Sequence, residues 1–230
     1  MRDFNKICAV SIILGGAFIS AHGQTATTIK WQDALRQSPQ WYATADALRI
    51  ADSVILYQRD SGGWPKNIDM AARLNETQRR QISSEKGEVD STIDNSTTYT
   101  QMRFLARVYS ATRLARYEQS FLKGFDYLLK AQYDNGGWPQ YYPIRRGYYQ
   151  RITFNDDAMI GVMELLRDVA QAKSDFTFVD ENRRRRADLA VRKGIECILK
   201  TQVAVHGKRP SGVRNTTKRP LRRRRRAPMN

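Results

Sequence analysis

Two acids set beside asparagines are the residues of this 230-residue chain best suited to hold a hard cation. They are Asp94, in Thr92-Ile93-Asp94-Asn95, and Asp156, in Thr153-Phe154-Asn155-Asp156. Calcium takes carboxylate and amide oxygens, and Asp94, Asn95, Asn155, Asp156 and Asp157 supply several within two short segments. Both acids precede helical stretches at what read as equivalent positions, so each also suits a helix N-cap, and equivalent caps would set both carboxylates at one end of the fold. A second group follows two tryptophans, Trp64 and Trp138: Lys66 after the first, and Tyr141, Tyr142, Arg145 and Arg146 after the second. Arginine grips a carboxylate with two hydrogen bonds, and aromatic rings beside polar groups suit the apolar face of a sugar. Together they point to a polyanionic saccharide. The same cations could be solvated loop charges, and the indoles could plug the ends of helices. Both readings stay open on spacing alone. The candidates are Lys66, Trp64, Trp138, Tyr141 and Arg146 for substrate, with Asp94 and Asp156 for metal.

Helices must position these loops. Trp41, Ala45, Leu48, Ala51, Val54 and Ile55 recur at spacings of three and four, which predicts an amphipathic helix over 41–58. Similar patterns predict helices over 97–113, 117–132, 157–173 and 182–201. No stretch alternates with period two, so the fold class is all-α. A repeat runs through the pattern: Gln58 to Pro65 and Gln132 to Pro139 share Gln-x-x-x-Gly-Gly-Trp-Pro, 74 residues apart. The Gly-Gly pair lets the chain leave the helix in a left-handed turn, and proline prevents the helix from resuming. The last helix ends at Lys200-Thr201-Gln202, where a third copy begins and then dissolves. Helix pairs of this kind, closing on themselves, give an incomplete (α/α)3 toroid with its loops gathered at one end.

Composition bounds the function. Hydrophobic residues are 41% and charged residues 27%, ordinary for a globular chain. The net charge of +16 suggests nucleic acid until it is located. Residues 201–230 carry ten Lys or Arg and no acid; those ten charges removed, residues 1–200 keep +6. That mild excess suits an acidic substrate. At the start, Arg2 and Lys6 precede an apolar, small-residue run from Ile7 to Ser20, and the chain turns polar at His22-Gly23-Gln24. This predicts a signal peptide over 1–23, with secretion or export to the periplasm, and the apolar run is too short to span a bilayer. Cys8 leaves with that peptide, so Cys197 has no disulfide partner in the mature chain.

The tracts Tyr57 to Asn67, Thr92 to Asn95, Tyr99 to Ala106, Asp134 to Gln140 and Thr153 to Met159 resemble the signature stretches of polysaccharide lyase family 10, the pectate lyases. The likeness covers residues 31–209. It implies a helical toroid that cleaves polygalacturonate by β-elimination with calcium. It also implies that Asp94 binds a calcium bridging to substrate, that Asp156 lies in the same cleft, and that Lys66 meets galacturonate carboxylates. The partner is then polygalacturonate, with no nucleic acid or membrane, and the chain is expected to be a monomer.

The chain departs from this family after the fifth helix. The family carries a segment running Trp-Cys-Ala-Gln-His-Asp, then Lys-Ala-Arg-Ala-Tyr, whose arginine is taken as the base. Here the chain instead reads Gly212-Val213-Arg214-Asn215 and ends in a run of five arginines, Arg222 to Arg226. A codon string freely chosen to encode this stretch, read one base earlier, returns the family-like segment. The expected organisation is therefore a leader over 1–23, an incomplete lyase domain over 24–209, and an out-of-frame basic tail over 210–230. The catalytic residue is unassigned, Cys197 has lost a possible partner, and apolar faces lacking their covering helices should be exposed. Two alternatives share the composition, a toroidal glycoside hydrolase and a non-catalytic pectin-binding protein. Binding of nucleic acid or heparin through 208–226 rests on charge alone and conflicts with export.

Overall fold

The computed structural model describes residues 29–202, so the leader and the basic tail lie outside the described residues. The order is α1 (Trp31–Ala34), α2 (Ala45–Tyr57), α3 (Glu76–Ser84), α4 (Tyr99–Thr112), α5 (Ala115–Ala131), α6 (Ala158–Ala170) and α7 (Glu181–Thr201). Short 3₁₀ turns lie at Pro39–Ala43, Tyr148–Gln150 and Ser174–Phe176. The described residues contain isolated β-bridges but no strand, and the fold is all-α as expected.

All five predicted helices form, and their ends are set by capping. α2 starts at Ala45, later than predicted, because Trp41 and Tyr42 sit in a 3₁₀ turn and the Thr44 side chain accepts from the Ala47 amide. Asp180 caps α7 in the same way through the Arg183 amide. Apolar spacing does not predict α3, in which only Ile82 is buried. Its signal is the reciprocal capping box of Asn75 and Gln78.

Each repeat supplies an outer and an inner helix. The inner α4 buries Met102, Phe104, Leu105, Ala106 and Val108, more than one face of a helix, and packs against α2, α5 and α6. The outer α7 buries only Ala187, Ala190, Gly194 and Cys197, a narrow stripe of small residues laid on α6. The three outer helices α2, α5 and α7 all end at a glutamine in extended conformation: Gln58, Gln132 and Gln202. The described residues thus hold two helix pairs of an α/α toroid and the first helix of a third. On α7, Leu189, Ile195 and Leu199 are about half exposed.

α4 and α6 are also tied by charge. Asp168 on α6 accepts from Arg103 of α4 at 2.8 Å and from Lys173 at 2.6 Å. Burial opposes its charge, but those two cations hold the carboxyl below the ordinary aspartate range. A depressed folded-state pKa adds stability above the unfolded value near 3.9, lost as pH falls through the folded value. Asp168→Asn is therefore expected to cost about 2 kcal/mol at pH 7 in urea unfolding. The gap to wild type should close in acid. A gap that persists unchanged to the acid limit would contradict this role.

Candidate functional site

The repeated tract after each outer helix builds the loop end. Gln58 Nε2 donates to the carbonyl of Gly62 and to that of Ser120 on α5. Gln132 does the same to Gly136 and to Ala190 on α7. Gly62 and Gly136 sit at φ 97° and 89°, and a Cβ at either would strike the backbone of the next outer helix. The chain then doubles back, so each tryptophan returns under its own helix. The indole N–H of Trp64 donates to Val54 O at 2.7 Å, and that of Trp138 to Leu128 O at 2.8 Å. Both side chains are fully buried. This corrects the assignment of Trp64 and Trp138 to substrate: neither ring is open to a sugar, and both plug their helix pairs.

Beyond the tryptophans the loops lie side by side. The amides of Thr92 and Thr153 donate to Trp64 O and Trp138 O, both at 3.0 Å, and Ile93 N donates to Gln140 O. Thr92 also pairs with Tyr141. Asp94 lies at the junction, 3% exposed. Its Oδ2 accepts from Lys66 Nζ at 2.5 Å and from Gln140 Nε2 at 2.6 Å. Its Oδ1 is buried and has no hydrogen-bond partner. Lys66 and Gln140 occupy the same position in the two repeats, directly after Trp-Pro, so repeat symmetry delivers both donors to one carboxylate. Burial disfavours charge on Lys66, but the hydrogen bond and charge of Asp94 outweigh it and hold the ammonium above the ordinary lysine range.

Lys66 also stands 5.8 Å from the centre of the Tyr141 ring, which Arg145 covers at 4.3 Å. Arg145 is committed to the loop, donating twice to Val89 O. Arg146 is exposed and makes no hydrogen bond or ion pair among the described residues. Tyr142 packs edge-on against Tyr127.

Asp156 is placed differently from Asp94. The matching amides of Thr92 and Thr153 set the register, so Asp94 corresponds to Asn155 and Asp156 to Asn95. The two acids are therefore one position out of step, which corrects their expected equivalence. Asp156 is exposed and its carboxylate is held by Asn155 Nδ2 at 2.9 Å. Neither acid is a cap, since α4 is entered through Thr98 and α6 through Asp157. Asn95, Ser96 and Thr98, with Asp156 and Asp157, all have positive φ. Such strain costs on the order of 1–3 kcal/mol per residue and collects where loops carry function.

Gln140 was missed as a site residue because a charge-based reading passes over an amide; its place after the second Trp-Pro was the available signal. A cavity of about 720 Å3 is lined by Trp31, Asn67, Asn95 and Gln101 among others. It shares the loops flanking Lys66 and Asp94 without including either residue. No group of three or more His, Cys, Asp or Glu residues able to hold a metal occurs among the described residues. No described helix is long and apolar enough to cross a membrane.

Comparison with known proteins accounts for this loop end. The pectic acid lyase family model matches residues 58–216, a range that holds both repeated tracts and the Asp94 site. That match runs past Arg209, where the basic tail was expected to begin. The chain is similar to the solved family 10 polysaccharide lyase from Cellvibrio cellulosa, at 34% identity and a TM-score of 0.64. The similarity covers 74% of this chain and 50% of that one. An aspartate-to-alanine mutant of a family 10 lyase from the same organism, solved with trigalacturonic acid, matches at 34% identity and 0.64 over 74% and 51%. The chain spans about half the length of these structures. No curated protein sequence matches it significantly. The family match over most of the chain, on a fold of repeated helix pairs, establishes that it belongs to the pectic acid lyases, the family 10 polysaccharide lyases.

Proposed function

We propose that this chain is the polygalacturonate-binding part of a secreted, calcium-assisted pectate lyase and lacks the base needed for cleavage. One observation carries the reading: Asp94 Oδ1 is a buried carboxylate oxygen without a partner, beside a lysine held in its charged form. An orphaned acceptor of this kind suits a cation. With only one buried carboxylate in place, the remaining oxygens would come from the substrate's own carboxylates. A cation shared in that way supplies positive charge where the C5 proton, adjacent to a carboxylate, must leave. Asp94 is the residue that would hold such a cation. Lys66 orients Asp94 and faces the uronate acids, and Tyr141 walls the site. Arg146 offers an exposed cation on the same loop as Tyr141, and the exposed Asp156 is assigned to the same cleft by family resemblance.

Because its folded pKa is raised, Lys66 keeps its charge up to and beyond the ordinary lysine value near 10.4 and loses it only above that. Binding to polygalacturonate should therefore stay level between pH 7 and 9. A decline centred near pH 8 would count against Lys66 as the cation.

Cleavage needs a base positioned on the C5 proton. We assign residues 210–230 to an out-of-frame reading and residues 1–23 to an export leader. With calcium and polygalacturonate, the full chain should be retarded in substrate-containing native gels yet release little unsaturated oligosaccharide. Abundant calcium-dependent unsaturated product would overturn the missing-base part of this reading, and saturated product indifferent to chelator would indicate a hydrolase. Resequencing the DNA across the codons for Lys208 to Gly212 tests the tail directly: one additional base restores the family frame and a full lyase, and an unchanged sequence leaves a truncated lyase fragment.

A further inference from the structure

The loop that follows Tyr141 carries an aromatic ring that neither folding nor the Asp94 site uses. Tyr148 is 58% exposed, the most open of the exposed large apolar side chains among the described residues. Its backbone is nevertheless fixed. Gly147, at φ 99°, turns the chain into the 3₁₀ turn, and Arg151 N donates to Tyr148 O at 3.0 Å. Next to it, Gln140 N donates to Tyr149 O and Tyr133 Oη to Gln150 O. The ring itself lies 4.0 Å from that of Tyr149, which meets Tyr141 edge-on at 5.2 Å. Tyr141 in turn faces Lys66. A continuous line therefore runs from Asp94 through Lys66, Tyr141 and Tyr149 to an open ring face.

We propose that Tyr148 is a stacking platform that extends the Asp94–Lys66 site by one further uronate ring. Galacturonate presents C–H bonds on a pyranose face and its carboxylate at the edge. An aromatic face takes the first, and the neighbouring exposed Arg146 suits the second. Because the backbone of the turn is already fixed, little ordering is required on binding. The inference rests on the proposed polygalacturonate-binding function and adds to it a residue and a subsite.

The test is calorimetric titration of the full chain, in calcium, with di-, tri- and hexagalacturonate. Tyr148→Ala should weaken the longer oligomers roughly tenfold while leaving the shortest bound oligomer unchanged. Tyr148→Phe should bind like wild type. Tyr148→Leu, which covers Tyr149 without offering a ring face, should share the loss. If Tyr148→Ala and Tyr148→Leu match wild type at every length, the platform is refuted while the binding function stands. An equal loss at every length would likewise refute an added subsite. If wild type binds no oligogalacturonate in calcium, the proposed function fails and the platform with it.

Discussion

Replacing Trp138 by alanine is expected to lower the unfolding free energy by about 4 kcal/mol, and Trp64→Ala by a similar amount. Each indole is fully buried in the core and bonded to its own outer helix. Removal leaves a large cavity and also strands a carbonyl, Leu128 O or Val54 O, that the indole N–H now satisfies. Against a typical total of about 5–15 kcal/mol, either loss is severe. Trp138→Phe keeps most of the apolar volume but not the donor, so its cost should be about 1–2 kcal/mol. Urea titration reads both. If Trp138→Ala cost under about 0.5 kcal/mol while weakening saccharide binding, the ring would be an exposed platform after all.

The second large effect concerns Asp94. Asp94→Asn preserves shape and keeps an oxygen that can accept from Lys66 and Gln140, but it takes the counter-charge from Lys66, so a folding cost of about 1–3 kcal/mol is expected and binding is compared on the folded variant. It removes the negative charge beside the orphaned oxygen. Truncating one partner of a buried charged contact typically costs at least about 2–5 kcal/mol in binding, so affinity for trigalacturonate should fall roughly hundredfold. Asp156→Asn, at an exposed position, should cost far less. A variant at Asp94 that binds like wild type would remove the reason for placing a cation there.

The helices and the repeat were legible in sequence because both leave periodic signals: apolar spacing for α2, α4, α5, α6 and α7, and Gly-Gly-Trp-Pro for the turns. The pairing of Lys66 with Asp94 was accessible only as a shared neighbourhood. Its geometry depends on the hydrogen bonds that align Trp64, Thr92 and Tyr141 across distant parts of the chain. The tryptophans misled because a ring following a turn reads as exposed; the left-handed glycines reverse the chain and bury it. The acids misled because Asp–Asn and Asn–Asp look alike as motifs, whereas backbone register separates them by one residue. Two further residues, Thr97 and Thr98, then lengthen the entry to α4. The Thr98 hydroxyl ties Trp64 N to Thr92 O, a contact no local pattern announces. α3 was hidden because a polar helix with one buried residue has no stripe to detect.

The most direct test of the central claim is calorimetric titration of trigalacturonate into the full chain with calcium, repeated with the calcium chelated. The account predicts saturable binding that requires calcium and disappears in chelator. Binding that is identical with and without calcium, or absent in both, would contradict it.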